Sequence, residues 1–199
     1  MRLLAATFLF FSLALLAACS ESFTDPRDGK SYDIVKIGNF TWFAENLNYE
    51  TDGSFCPDGD SKNCSNLGRL YTWDAARKAC PEGWRLPDSS DFVALVEQAG
   101  GLAVAGESLK STTGWFKKGN GVDALGFGAL PAGYCAPDNN SSISVKCDGI
   151  GGFAYFWSSM EAPDDFAYYL YLDFSAKSAV LNAFPKSDAR SVRCVKCEP

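Results

Sequence analysis

The residues that could carry out chemistry in this chain are limited first by the absence of histidine. Without an imidazole, Ser-His-Asp catalysis, Cys-His catalysis and all histidine metal sites are excluded. The most suggestive remaining spacing is Cys194-Val-Lys-Cys197, because two cysteines separated by two residues are typical of redox and metal sites. In the alternative interpretation, Cys194 is a structural half-cystine and Cys197 is a leftover thiol. We favour that alternative.

Oxygen ligands are concentrated between residues 138 and 148. Asp138, Asn139, Asn140 and Asp148 offer the hard oxygen atoms that calcium prefers. A solvated polar loop explains the same residues equally well, so we predict no metal and no cofactor. Asp138, Asn139 and Asn140 are retained as candidate ligand-binding residues on that loop.

Trp115 is the aromatic residue that we expect to contact a ligand. It lies between Gly114 and Lys117-Lys118, in a segment that is predicted to be a loop. An exposed indole at this place would stack against a sugar ring or a partner protein. The other tryptophans that we considered are predicted to lie in the core: Trp42, Trp73, Trp84 and Trp157.

Acidic residues give no sign of a hydrolytic site. Glycoside hydrolysis needs two carboxyl groups that face each other across a cleft. The most visible pair is Asp164-Asp165, but adjacent residues of a strand point to opposite faces, so a turn is favoured. We therefore predict that the protein is not an enzyme.

The N-terminal segment is predicted to direct the chain to export. Leu3–Ala18 is predominantly apolar, and at about 16 residues it is shorter than a membrane-spanning helix. Leu16-Ala-Ala-Cys19 resembles the lipobox of bacterial lipoproteins, which implies a signal peptide over residues 1–18 and lipidation of Cys19. An uncleaved anchor and an ordinary cleavage site are the alternatives. The residue after Cys19 is Ser20 and not an aspartate, which resembles the pattern that sorts lipoproteins of Gram-negative bacteria to the outer membrane.

Composition sets the domain organisation and the class of partner. Residues 19–29 are predicted to form the lipidated N-terminus and a polar tether, and residues 30–197 a single domain. A net charge of −6 without basic runs excludes nucleic acid as a partner, because phosphates require clustered Lys and Arg. The expected partners are the membrane, through the lipid anchor, and a polysaccharide or an envelope protein.

Seven cysteines follow Cys19, and in an exported chain they are predicted to form disulfides. Cys56 and Cys64 are expected to close a polar loop over Tyr49–Asn66. Because seven is odd, at least one thiol has no partner within the domain.

The elements that must position these residues are two early helices and several strands. The first helix is predicted over Trp73–Cys80, and the second starts after its N-cap Asp88 and stops at Gly100-Gly101. Residues 103–150 are predicted to be a long loop region. This order indicates an α+β fold with small antiparallel sheets. The predicted strands are Tyr32–Ile37, Phe40–Phe43, Phe153–Trp157, Ala167–Phe174, Ala179–Leu181 and Ser191–Val195.

An ordered set of motifs over roughly residues 25–197 resembles the Fibrobacter succinogenes major paralogous domain family. The resemblance implies a secreted or lipid-anchored surface protein and supplies no catalytic residues. The motifs that carry it are Trp42-Phe-Ala-Glu-Asn-Leu-Asn-Tyr49, Gly68-Arg-Leu-Tyr-Thr-Trp73, Cys80-Pro-Glu-Gly-Trp-Arg-Leu-Pro87, Leu109-Lys-Ser-Thr-Thr-Gly-Trp115, Gly126-Phe-Gly-Ala-Leu-Pro-Ala-Gly-Tyr134, Phe156-Trp-Ser-Ser159 and Ser191-Val-Arg-Cys-Val-Lys196.

The segment around Cys80 is also similar to the start of C-type-lectin-like domains, where a helix cysteine pairs with one on the last strand. That similarity implies a Cys80–Cys194 bridge, a local Cys135–Cys147 bridge, and Cys197 left over. C-type lectins carry a Trp-Asn-Asp calcium motif where this chain has Phe156-Trp-Ser-Ser159. The serines imply that the usual calcium-and-sugar site is missing.

The favoured function is a non-enzymatic binding or adhesion module on the cell envelope, anchored by lipid to the outer membrane. It would contact polysaccharide or a partner protein through residues 103–150. One alternative is an oxidoreductase similar to formylglycine-generating enzymes, which share Arg85-Leu-Pro87, although their Asn-Val-Trp-Glu-Trp pattern is missing. The other alternative is a purely structural envelope component.

Overall fold

Two β-sheets and four short α-helices make up the described part of the chain. A computed structural model describes residues 21–138 and 145–197. The strands are β1 (Ser22–Thr24), β2 (Ser31–Ile37), β3 (Phe40–Phe43), β4 (Ser54–Phe55), β5 (Leu70–Thr72), β6 (Tyr134–Pro137), β7 (Val145–Asp148), β8 (Phe153–Ala162), β9 (Phe166–Asp173), β10 (Ala179–Pro185), β11 (Ala189–Ser191) and β12 (Val195–Cys197). The helices are α1 (Ser61–Leu67), α2 (Trp73–Ala79), α3 (Ser89–Gln98) and α4 (Ala105–Leu109).

The smaller sheet has the order β1-β2-β3-β12 and is antiparallel throughout. Its central hairpin turns at Gly38-Asn39, between the two predicted strands, and Gly38 takes the left-handed φ of 60° that this turn requires. Strand β1 corrects the predicted tether, because Ser22–Thr24 pairs with β2 and the following Asp25 is fully buried. The folded domain therefore includes Ser22–Asp25, which the sequence predicts to be part of the tether.

The larger sheet has eight strands, with the order β10-β9-β8-β11-β5-β4 and with β6 and β7 attached beside β11. Its pairs are antiparallel except for β11 and β8, which run parallel. The single strand predicted over Ser191–Val195 is wrong. The chain leaves the larger sheet after Ser191 and joins the smaller one at Val195, so residues 192–194 link the two sheets.

Helices α2 and α3 lie where the sequence predicts them. The Asp88 carboxylate accepts hydrogen bonds from the backbone N–H groups of Ser90 and Asp91, and the Asp91 carboxylate accepts one from Asp88 N–H. This reciprocal capping box starts α3, and Gly100 and Gly101, both with φ near 90°, follow its end.

Helices α1 and α4 fall in segments that the sequence predicts to be loops. Asp60 caps α1 by accepting a hydrogen bond from Lys62 N–H, and the Cys56–Cys64 disulfide holds that helix. Helix α4 has only five residues, and Gly106 approaches the carbonyl of Ser178 so closely that a Cβ there would clash. Short helices of this kind depend on tertiary contacts, so their periodicity is weak in the sequence.

Three disulfides confirm the predicted pairing: Cys56–Cys64, Cys80–Cys194 and Cys135–Cys147. The remaining thiol of the described chain, Cys197, is exposed. The mixed α and β composition with antiparallel sheets is also as predicted.

The core confirms three of the four tryptophans that were predicted to be buried. Trp42, Trp73 and Trp157 are inaccessible or nearly so, whereas Trp84 is half-buried. The Trp42 ring packs at 5.8 Å from Phe92 of α3, measured between ring centroids, which joins the smaller sheet to that helix.

Candidate functional site

Strands β8 and β9 give the larger sheet two different faces. On one face Ala154 and Phe156 of β8 lie beside Leu172 and Leu170 of β9, and all four are fully buried in the core. Because side chains alternate along a strand, the neighbouring residues point to the other face. There, a second core buries Trp157, Ala167 and Tyr169, and beside it the rings of Tyr155 and Tyr171 are half-buried.

These aromatic side chains form one side of a cavity of about 210 Å³. The rings of Tyr155 and Tyr171 stack with centroids 4.9 Å apart, and Tyr134 meets Tyr155 edge-on at 5.6 Å. We call this cavity the aromatic pocket, and it is lined by Tyr134, Phe153, Tyr155, Tyr169, Tyr171 and Phe184, together with Arg190.

Arg190 forms the floor of the aromatic pocket and is 1% exposed. Its guanidinium carbon lies 4.4 Å from the centroid of Tyr155, 4.6 Å from that of Tyr169 and 4.7 Å from that of Phe184. Nη2 donates to the carboxylate of Asp188 over 3.1 Å. Nε and Nη1 of Arg190 are buried and have no hydrogen-bond acceptor among the described residues.

Burial determines the protonation behaviour around this arginine. It lowers the pKa of Arg190 below its usual range, and the attraction of Asp188 offsets only part of that effect. Burial likewise raises the pKa of Asp188 above 3.8 in spite of the arginine. An arginine side chain nevertheless stays protonated at neutral pH, so the aromatic pocket contains a permanent, poorly solvated cation.

Tyr155 and Tyr171 of the aromatic pocket carry neutral hydroxyl groups at physiological pH. Burial raises the pKa of Tyr155 to about 12. Burial, and then the hydrogen bond that Tyr171 donates to Asp173 over 2.6 Å, raise the pKa of Tyr171. These phenols therefore offer a ligand both an aromatic face and a neutral hydrogen-bonding group.

The prediction that Trp115 is an exposed contact is wrong. Its side chain is 5% exposed, and its indole N–H donates to the hydroxyl of Ser111 and the carbonyl of Ala129. The ammonium group of Lys110 lies 5.1 Å from its ring centroid. A glycine-flanked tryptophan that resembles a loop residue is in fact packed between the segments on either side of it.

The polar candidates do not join the aromatic pocket. Asp138 is half-buried directly after β6, and Asp148 ends β7, where it accepts a hydrogen bond from Gly149 N–H. Asn139 and Asn140 lie outside the described residues, as does Cys19. The region predicted as one long loop over 103–150 contains α4, β6 and β7.

Two structural interpretations of chemical motifs are confirmed. Asp164 and Asp165 both have left-handed φ values, 61° and 63°, in the turn between β8 and β9. Cys194 is bonded to Cys80, while Cys197 lies 3.8 Å from Nη2 of Arg85. The CxxC spacing therefore does not form a cysteine pair.

Two other cavities are lined by groups that already have partners. A cavity of about 190 Å³ lies beside Asn46, whose amide nitrogen donates to Leu67 and whose amide oxygen accepts from Arg193. A cleft over Trp73 holds Lys186, which is ion-paired with Glu161 and Asp165. Neither offers a buried donor without an acceptor.

The sequence does contain a signal of the aromatic pocket that went unrecognised. Tyr169 and Tyr171 alternate with Leu170 and Leu172, so over these four residues one face of β9 is aromatic and the other aliphatic. A strand is predicted over Ala167–Phe174 from the sequence, without a distinction between its two faces. This pattern gives no indication of Arg190. That residue reaches the pocket because β11 pairs with β8, a strand that is distant from it in the sequence.

Comparison with known proteins gives one match. The model of a family described as the Fibrobacter succinogenes major domain matches residues 35–196. No curated protein and no solved structure matches the chain. Among the residues that the structure describes, no helix is long and apolar enough to cross a membrane.

Proposed function

The chain belongs to the Fibrobacter succinogenes major domain family, and we propose that it is a cell-envelope lipoprotein that binds polysaccharide through the aromatic pocket. The observation that carries this proposal is a cluster of six aromatic side chains around an open cavity with a buried arginine beneath it. The protein acts as a binding or adhesion module and carries out no reaction.

A sugar ring fits the chemistry of this pocket. The C–H groups on the faces of a pyranose are apolar and pack against aromatic rings, while its hydroxyl groups need donors and acceptors around the rim. Tyr155 and Tyr169 supply both, because each presents a ring and a neutral hydroxyl group. Convergent polar groups in an apolar cavity are typical of ligand sites.

A binding role is favoured over hydrolysis by the state of the nearby carboxylates. Asp173 accepts the hydrogen bond of Tyr171, and Asp188 accepts that of Arg190. A hydrolase needs one carboxyl group to donate a proton and the other to attack or to activate water. Both groups here instead have local partners that hold them in structural roles.

Lipidation at Cys19 places the module on the outer membrane, facing the periplasm or the cell surface. Several acyl chains, palmitate among them, hold a protein at a bilayer effectively permanently, because each buried CH₂ contributes about 0.8 kcal/mol. Strand β1 begins at Ser22, and three residues span at most about 11 Å. The folded domain therefore lies close to the lipid surface.

The scaffold itself is compatible with a relationship to C-type-lectin-like domains. The Cys80–Cys194 bridge joins the early helix α2 to the end of the chain, as it does in those domains. The oxidoreductase alternative is disfavoured, because Cys194 is already in this bridge and Cys197 has no cysteine beside it among the described residues.

The proposal is tested with the full chain purified in detergent micelles. A glycan array, and a pull-down with insoluble cellulose and other cell-wall polysaccharides, are expected to retain the folded protein. The same protein with its disulfides reduced and alkylated is the control and is expected to lose binding. Uniformly blank results with the folded chain would contradict polysaccharide binding.

A further inference from the structure

We propose that the aromatic pocket takes a carboxylated sugar, a uronic acid residue of a polysaccharide, and that Arg190 pairs with its carboxylate. This inference rests on the proposed function and adds the class of ligand to it. Four considerations support it: the unmet hydrogen bonds of Arg190, the nature of its neighbours, the exposed ring of Phe184 and the strength of hydrogen bonds between a guanidinium and a carboxylate.

Arg190 lacks acceptors for most of its hydrogen-bond donors. A guanidinium group carries five N–H donors, and the hydrogen bond recorded for Arg190 joins Nη2 to Asp188 over 3.1 Å. Nε and Nη1 are buried without an acceptor among the described residues. Buried donors are almost always paired in native proteins. Two nitrogen atoms without an acceptor, which carry three N–H donors, on a 1% exposed side chain therefore point to an acceptor that arrives from outside.

The surrounding rings cannot supply that acceptor. The guanidinium carbon lies within 5.0 Å of the ring centroids of Tyr155, Trp157, Tyr169 and Phe184. Their π faces attract the positive charge, but they offer no carbonyl or carboxylate lone pair to an N–H group. The rings therefore stabilise the cation and leave its hydrogen bonds unmade.

Phe184 is the exposed wall of the pocket. It is 44% exposed, although its ring centroid lies only 4.7 Å from the guanidinium carbon. It belongs to β10, the edge strand of the sheet, which pairs with β9 on one side only. A sugar that stacks on this exposed ring therefore comes close to the guanidinium group.

The strength of charge-assisted hydrogen bonds favours a carboxylate as the missing acceptor of Nε and Nη1. Hydrogen bonds between a guanidinium and a carboxylate are charge-assisted and stronger than those to a neutral hydroxyl group. Among the described neighbours, Asp173 is held by Tyr171 and its backbone carbonyl accepts from Lys110. Among the described groups in contact with Arg190, Asp188 is the one that repels a second carboxylate. Removing its charge is therefore expected to increase the affinity for an acidic sugar.

Calorimetric titration of the full chain in micelles compares two matched probes, trigalacturonic acid and the same trisaccharide as its full methyl ester. The acid is expected to bind at least tenfold more tightly, because only the acid carries a carboxylate that can accept charge-assisted hydrogen bonds from Arg190. The variant Asp188→Asn keeps the shape of the side chain and removes the competing charge. This variant is expected to bind the acid at least threefold more tightly than the wild-type chain does, and to bind the ester with an affinity within twofold of wild type. Misfolding would not produce a gain in affinity.

Two results would overturn this inference in distinguishable ways. Equal affinities for acid and ester, with both unaffected by Asp188→Asn, would reject the ligand class and leave polysaccharide binding intact. Failure of both probes on a chain that binds other glycans on the array would do the same. A chain that binds no glycan at all would contradict the proposed function itself.

Discussion

The guanidinium carbon of Arg190 lies 4.4 Å from the centroid of the Tyr155 ring. This contact joins β11 to β8, the one parallel pair of the larger sheet, and places a cation under the aromatic face. A residue only one position away, Ser191, pairs with Phe156 on the opposite face. The register of this short pairing therefore decides whether the arginine reaches the aromatic pocket.

Removal of the long-range disulfide should cost more stability than removal of a local one. Cys80 and Cys194 are 114 residues apart, whereas Cys56 and Cys64 are 8 apart. The chain-entropy model gives about 5 kcal/mol for the first bridge and about 2.6 kcal/mol for the second. We expect urea unfolding of Cys80→Ala/Cys194→Ala and Cys56→Ala/Cys64→Ala to show this order. The reverse order would show that the entropy of loop closure is not the main contribution of these disulfides to stability.

Arg193 should be a structural arginine, in contrast to Arg190. It is fully buried and donates to the side chain of Asn46 and to the backbone carbonyls of Phe43, Phe127 and Gly128. Burial lowers its pKa to about 9, so it remains protonated at neutral pH. Arg193→Met would leave these acceptors unpaired, at about 1–3 kcal/mol each. We expect a loss of roughly 3 kcal/mol or more in urea unfolding.

The matched control for Arg193 is Arg77, which has an exposed side chain and a 3.9 Å ion pair with Glu161. Exposed ion pairs contribute about 0–1 kcal/mol. Arg77→Met is therefore expected to leave the free energy of unfolding nearly unchanged. Similar losses in the two variants would show that the hydrogen bonds of Arg193 contribute little.

The fold shows which features local sequence can predict. The cap of α3 needs only Asp88 and Asp91, three residues apart, and was found from the sequence. The prediction that Trp115 is exposed is wrong, because its indole is buried against Ala129, which lies 14 residues further along the chain. The solvent exposure of a side chain in a loop-rich segment depends on tertiary contacts. The residues next to it in the sequence do not determine it.

The candidate site could be predicted only in part, for the same reason. Aromatic alternation in Tyr169 and Tyr171 is visible in the sequence, but the arginine beneath them is not. Arg190 reaches β8 because β11 inserts between β8 and β5, which brings together segments more than 30 residues apart. The similarity to C-type-lectin-like domains implied two of the disulfides, Cys80–Cys194 and Cys135–Cys147, and carried no information on this pocket.

Acid should weaken the N-terminal part of the domain through Asp25. Burial opposes ionisation of this carboxyl group, but the hydrogen bonds and charge of Arg27 outweigh it and lower the pKa of Asp25 below 3.8. A lowered native pKa stabilises the fold above the unfolded pKa, and this contribution is lost as the pH falls. Asp25→Asn is therefore expected to destabilise the protein by roughly 1–2 kcal/mol at pH 7 and by less at pH 3. An equal difference at both values would contradict this assignment.

Lipidation should depend on Cys19 and not on the exposed Cys197. We expect the wild-type chain and Cys197→Ser to partition into the detergent phase of a membrane extract, with an intact mass that includes the acyl chains. Cys19→Ser should lose both the added mass and the partitioning. Retention of the acyl mass in Cys19→Ser would place the modification elsewhere.

The most direct test of the central claim compares Phe184→Ala with Phe166→Ala on the glycan array. The two phenylalanines are 44% and 37% exposed, and they lie on opposite faces of the larger sheet, because Phe184 pairs with Ala167 and Phe166 with Pro185. Binding through the aromatic pocket predicts at least a tenfold loss of affinity for Phe184→Ala, about 1.4 kcal/mol, and no more than a twofold change for Phe166→Ala. Equal effects of the two substitutions, or none from either, would contradict the claim.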